Sequence, residues 1–148
     1  ALPRYRAAAG LPLLPLSHHL SAVAAALNAD LLASQPQGQC FPLSWSRSSR
    51  WSGCCYTDDH AQAQCMWDKP RELSGYRGNG YEIAYWVEGG SDPVQATPKS
   101  ALEGWRSSSA HHAVILNAGG WAEPWRALGV AVIKNYAVAW FGNEPCPP

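Results

Sequence analysis

Charge is what this chain has least of. Lys and Arg number 11, Asp and Glu also 11, so charged residues make up 15% of the 148 and the formal net charge is zero. About a quarter is usual for a globular domain. With no basic cluster to meet phosphates, nucleic acid is not an expected partner. Long apolar runs are missing too. None reaches the roughly 18 residues that a membrane helix needs, and Leu11 to Leu16 is short and broken by proline. No transmembrane segment is therefore expected. There is no C-x-x-C pair for a zinc or redox motif, no G-x-S-x-G elbow for a serine nucleophile, and no N-x-S/T acceptor for an N-glycan. The chain also lacks an initiating Met, which reads as a mature product whose signal peptide has been removed.

What is present is a globular composition. Apolar residues make up 47%, and the length suits one domain with its own core. Eight tryptophans stand out: Trp45, Trp51, Trp67, Trp86, Trp105, Trp121, Trp125 and Trp140. Trp is seldom wholly buried, so some of these are expected to line a groove or an interface. The five cysteines are Cys40, Cys54, Cys55, Cys65 and Cys146. The adjacent pair Cys54-Cys55 suits two separate bridges, and disulfides imply a secreted, extracellular protein. The odd count leaves one thiol free or paired with another chain. Cys146, in the tail E-P-C-P-P, is the candidate.

Along the chain, residues 1–16 hold three prolines and are expected to form an extended arm. Ser17 caps an expected helix to about Ala33, with Leu20, Val23, Ala24, Leu27 and Leu31 on one face. His18 and His19 fall in its first turn and are expected to be solvated. Residues 34–57 read as a cystine-pinned loop. Thr57 or Asp58 is placed to cap a short helix through His60 and Met66, ended by Pro70. Tyr81 to Val87 reads as a strand, Gly89 to Pro98 as a loop, and Pro98 as the first turn of a helix through Trp105. Ser107 to Ser109 break that helix before a second one, His111 to Leu116. Leu128 to Ile133 and Tyr136 to Phe141 read as a hairpin of two fully covered strands, with Asn135 tolerating positive φ in the turn. Residues 143–148 form a Pro/Cys tail.

Three segments resemble the CAP superfamily, the cysteine-rich secretory, antigen 5 and pathogenesis-related-1 proteins. W-x-x-S-x-x-H-x-x-x-I-L-N from Trp105 to Asn117 is similar to a Trp, a break and a His-bearing helix in bacterial members. G-V-A-V with Y-A-V-A-W-F-G is similar to the closing hairpin. G-Y-E-I at Gly80 to Ile83 resembles the G-E-N-I/L segment, shifted by one residue. Upstream, Trp51 with Ala61-Gln62-Ala63 and Cys65 resembles the second-helix pattern. The resemblance implies an α/β fold, a three-layer α-β-α sandwich over residues 17–142. It implies that His111 and Glu82 are members of a metal tetrad. The other two ligand positions fall on Lys69 and Ser108, neither of which is the family's residue.

The resemblance also implies a cleft. Its expected ligand-binding residues are Glu82, His111, Trp105 and Trp86. Adjacent helical residues point about 100° apart, so one of His111 and His112 faces it. His111 is expected to bond Glu82, which would hold one tautomer and raise the His pKa. A zinc site from His111 and Glu82, with His112 or His60 near, is the alternative. The favoured function is a secreted, non-catalytic protein that binds a lipid, sterol, glycan or protein partner through a Trp-rich groove, without a cofactor. The rivals are a self-associating structural subunit using its terminal arms, and a metal-assisted hydrolase.

Overall fold

The computed structural model describes residues 1–34, 38–40, 43–88 and 94–147. Three antiparallel strands form its sheet: β1 (Gly80–Trp86), β2 (Ala127–Ile133) and β3 (Tyr136–Gly142), in the order β1-β3-β2. Each β3 residue pairs on both sides; Trp140, for instance, lies opposite Glu82 on β1 and Gly129 on β2. β3 is buried along its whole length, because each face is covered. Tyr136, Val138 and Trp140 enter one core, while Ala137, Ala139 and Phe141 enter the other. The period-2 alternation of a strand thus divides one apolar run between two cores.

The first core is built by α2 (His18–Ser34). Leu20, Val23, Ala24, Leu27 and Leu31 are all fully buried, the face that their spacing predicts. Ser17 caps the helix by accepting from the Leu20 amide at 3.2 Å. Gly129 on β2 allows α2 this close: a Cβ there would stand 2.2 Å from the Leu20 carbonyl carbon. Asp30, buried, accepts from the Ser46 amide at 2.8 Å and from its hydroxyl, tying the cystine loop to α2. That loop is closed by Cys40–Cys55 and Cys54–Cys65, and Cys146 is a half-buried free thiol.

The second core lies under α5 (Pro98–Ser107) and α6 (Ser109–Leu116). Thr97 and Ser100 cap α5 reciprocally, each hydroxyl 3.0 Å from the other residue's amide. Ser108 caps α6 by accepting from the His111 amide at 3.5 Å.

Several expectations need correction. Residues 2–8 are a helix, α1 (Leu2–Ala8), not an extended arm. Pro3 stands in its first turn, where its missing N–H costs nothing. Arg6, buried, donates to the Ile115 carbonyl and, at 3.1 Å, to Asn117 Oδ1, so α1 is pinned to the C-terminal end of α6. The expected helix through His60 and Met66 is two helices, α3 (Ala63–Trp67) and α4 (Lys69–Ser74). His60 has φ of 58°, which breaks the first turn, and Pro70 opens α4 rather than ending a helix. His19 bonds the Ser74 carbonyl instead of being solvated. In the hairpin the positive φ is at Lys134, 53°, not at Asn135, whose side chain reaches the Val87 carbonyl at 3.2 Å. β2 is an edge strand, and its second half is not covered: Val130 and Val132 are 39% and 41% exposed. Residues 89–93, in the expected loop before α5, lie outside the described residues.

Candidate functional site

A cleft of about 390 Å³ runs along the free edge of β1. Tyr81, Glu82 and Ile83 supply its floor from consecutive positions, so it spans both faces of the sheet edge. α6 supplies Ala110, His111, Ala113 and Val114. The turn after the cystine loop brings Tyr56, Asp58 and His60, and the loop from α6 to β2 brings Gly120 and Trp121. Leu43 and Met66 complete a lining that is mainly apolar.

Among the titratable groups of this lining, Glu82 and His111 lie on the sheet and helix that frame it. Glu82 is 5% exposed, and neither carboxylate oxygen has a hydrogen-bond partner among the described residues. Burial holds its carboxyl well above the usual carboxylate range, opposed only in part by the charge of Lys69. Burial also lowers the pKa of His111. Burial thus favours the uncharged form of both groups, a carboxyl that can donate when protonated and an imidazole that can accept. At the rim, Tyr56 Oη bonds His60 Nδ1. Burial, then the charge of Glu82, raises the Tyr56 pKa.

The expected bond between His111 and Glu82 is not made, since both Glu82 oxygens lack a partner. The His111 pKa moves down rather than up, because desolvation acts without a facing carboxylate bond. His111 reaches the cleft, and His112 turns away to Tyr5 Oη at 2.7 Å, consistent with the angle between neighbours on a helix. Trp86 and Trp105 do not line this cleft. They line an adjoining hollow of about 240 Å³ with Ser108 and His111, so His111 stands between the two spaces. Trp105 is 4% exposed and donates to the Ala84 carbonyl at 3.0 Å, locking α5 to β1. The aromatic residues that do border the cleft are Tyr56, Tyr81 and Trp121. Trp121 lies in a loop with no periodicity, so only its residue type could have marked it.

The resemblance implies a metal tetrad, and the residues present do not fit one. Among the described residues no group of three His, Cys, Asp or Glu side chains could hold an ion. Lys69 brings an ammonium group to the position where the resemblance implies an imidazole. Its Nζ is buried, 2.6 Å from Glu72 Oε2 and 2.5 Å from the Ser52 carbonyl. Ser108 spends its hydroxyl on the α6 cap. The pair His111 and Glu82, with His60 or His112, is thus left without a complete donor set. The nearby Ser107 hydroxyl bonds Gly104 at 2.7 Å.

The fold has solved relatives. The chain is similar to an extracellular protein containing an SCP domain from Bacillus anthracis, with 18% identity and a TM-score of 0.64. The likeness covers 97% of this chain and 38% of the Bacillus protein, so this chain spans well under half of that protein's length. It is also similar to an outer surface protein from Borrelia burgdorferi, with 11% identity and a TM-score of 0.62, covering 97% and 86%. No sequence-family profile and no curated protein matches. At these identities the likeness is one of fold: a mixed helix-and-sheet, SCP-like (CAP-like) fold around a small antiparallel sheet.

Proposed function

We propose that this chain is a secreted SCP-like domain, a three-layer α-β-α sandwich, that binds an apolar ligand in the β1-edge cleft without catalysing a reaction. The observation that carries this reading is Glu82: a buried carboxyl with no hydrogen-bond partner among the described residues, in the lining of a mainly apolar cleft. Such a group suits a lipid or sterol carrying one uncharged polar atom, because a charged ligand would lose its hydration there. Two disulfides suit an oxidising compartment, and the solved relatives are extracellular or outer-surface proteins. The tetrad is read as diverged, with His111 and Glu82 kept as polar lining.

The test is affinity for a fluorescent sterol or long-chain fatty alcohol, compared between the native chain and Ala113→Trp, which fills the cleft. Binding that falls at least about tenfold supports the reading, that being roughly 1.4 kcal/mol. Absence of binding, or equal binding by the variant, overturns it. Stoichiometric zinc in the purified protein, with hydrolysis lost in His111→Ala, would favour the metal-assisted hydrolase instead.

One observation favours a second reading, a subunit of an extracellular assembly. Leu16, Val130 and Val132 are exposed beside a hollow of about 260 Å³ at the β2 edge. Residues 15–17 and Ser21 occupy the β2 edge as far as the Val130 amide, so it is the exposed apolar side chains beyond that point that invite a second copy. Sedimentation should then show a dimer that Val132→Lys abolishes; a monomer at millimolar concentration would dismiss it.

A further inference from the structure

Beside the cleft lies a second, aromatic pocket of about 440 Å³. It is lined by Trp67 at the end of α3, Tyr81 on β1, and Gly120, Trp121, Glu123 and Trp125 from the loop between α6 and β2. The rings pack as one group. Trp67 to Tyr81 is 5.3 Å between centroids, Tyr81 to Trp121 5.2 Å and near-perpendicular, and Trp121 to Trp125 5.8 Å. Trp67, Tyr81 and Trp121 are only partly buried, so they keep ring surface for a ligand.

The pocket is held in place before any ligand arrives. Asn117, in the left-handed conformation that ends α6, donates from Nδ2 to the Trp121 carbonyl at 3.1 Å and to the Glu123 carbonyl at 2.7 Å. Trp125 Nε1 donates to the Val114 carbonyl at 2.7 Å. Little ordering of the loop remains to oppose binding.

Its charge is one-sided. Glu123 brings a carboxylate, and the ion pairs among the described residues all lie elsewhere, at Lys69–Glu72, Arg71–Asp68 and Lys99–Glu103. The cations that sit over rings also serve other aromatics: Arg50 over Trp51, Lys69 over Trp45 and Arg106 over Tyr5. Aromatic faces are electronegative, and a neighbouring carboxylate adds a formal charge of the same sign. A neutral sugar would stack on these rings but leave that charge unanswered. A cation with an apolar shell answers both features.

We infer that the pocket formed by Trp67, Tyr81, Trp121, Trp125 and Glu123 binds a quaternary ammonium group. Rings supply the contact with its methyl groups, and Glu123 supplies the countercharge. The inference does not depend on the cleft reading, although Tyr81 and Trp121 border both spaces.

The experiment titrates the native chain with choline chloride, following tryptophan fluorescence. It is repeated with 3,3-dimethylbutan-1-ol, the uncharged isostere, and with methyl glucoside. Choline is expected to bind saturably and the isostere at least about fivefold more weakly. Glu123→Gln, at an exposed position, is expected to weaken choline by about fivefold and leave the isostere unchanged. Phosphatidylcholine vesicles, run alongside, separate a lipid headgroup from a free ammonium compound; saturable binding to either source that Glu123→Gln weakens supports the inference. Equal binding of choline and its isostere, preference for the glucoside, no saturable binding to either choline or the vesicles, or no effect of Glu123→Gln would each overturn it. Ala113→Trp is expected to retain choline binding, so a failure here and a failure of the cleft reading are told apart.

Discussion

Glu82 and His111 are the residues on which the cleft depends, and burial shifts their pKa values in opposite directions. For Glu82 the folded-state pKa lies above the unfolded value of about 4.3. The folded chain therefore holds a proton that the unfolded chain has released, and stability falls as pH rises above about 4.3 towards the folded pKa. For His111 the folded value lies below about 6.5, so its contribution is full above that pH and declines as pH falls through the window beneath it. Glu82→Gln removes the first effect. Urea unfolding at pH 5 and pH 8 should show the native chain losing more stability than the variant over that interval. Parallel curves for the two would mean that Glu82 is ionised in the fold. His111 was legible because a Trp-break-His pattern marks it. Its bonding was not, because a sequence cannot show that Lys69 is held by Glu72 and Ser52.

At the scale of elements, regular periodicity is what made the sequence readable. α2 shows its apolar face at helical spacing, and β3 is an apolar run that both cores share. α1 was not legible from its proline count, because a proline in a first helical turn is permissive and only its position reveals that. The extent of β2 coverage was equally hidden. Val130 and Val132 have the residue types of buried strand positions, but no element covers them. α2 lies close over Gly129, where an added methyl group meets backbone rather than a movable side chain. Gly129→Ala is expected to destabilise the fold by about 1–3 kcal/mol through displacement of α2. A melting temperature within a degree of the native value would show that this packing is looser than described. Trp121 and Glu123 belong to the class that periodicity never finds, since they lie in a loop shaped by Asn117.

Across the whole molecule, two cores on the two faces of one small sheet leave the β1 edge open to the cleft, and the cystine loop helps wall that edge. Tyr56 follows Cys55 directly and Asp58 lies two residues further on, so Cys40–Cys55 and Cys54–Cys65 hold one side of the cleft as well as the fold. Alkylation of the unreduced, denatured chain should add one adduct, at Cys146; three adducts would contradict the pairing. Removing Cys54–Cys65 by double substitution to Ser is expected to cost about 2–4 kcal/mol and to weaken ligand binding at the cleft. The measurement that tests the central claim most directly is a heteronuclear NMR titration with a sterol or a long-chain fatty alcohol. The account predicts shifts confined to Ile83, Ala113, Val114 and the Trp121 indole. Shifts gathered at Leu16, Val130 and Val132, or none at saturating ligand, would contradict it.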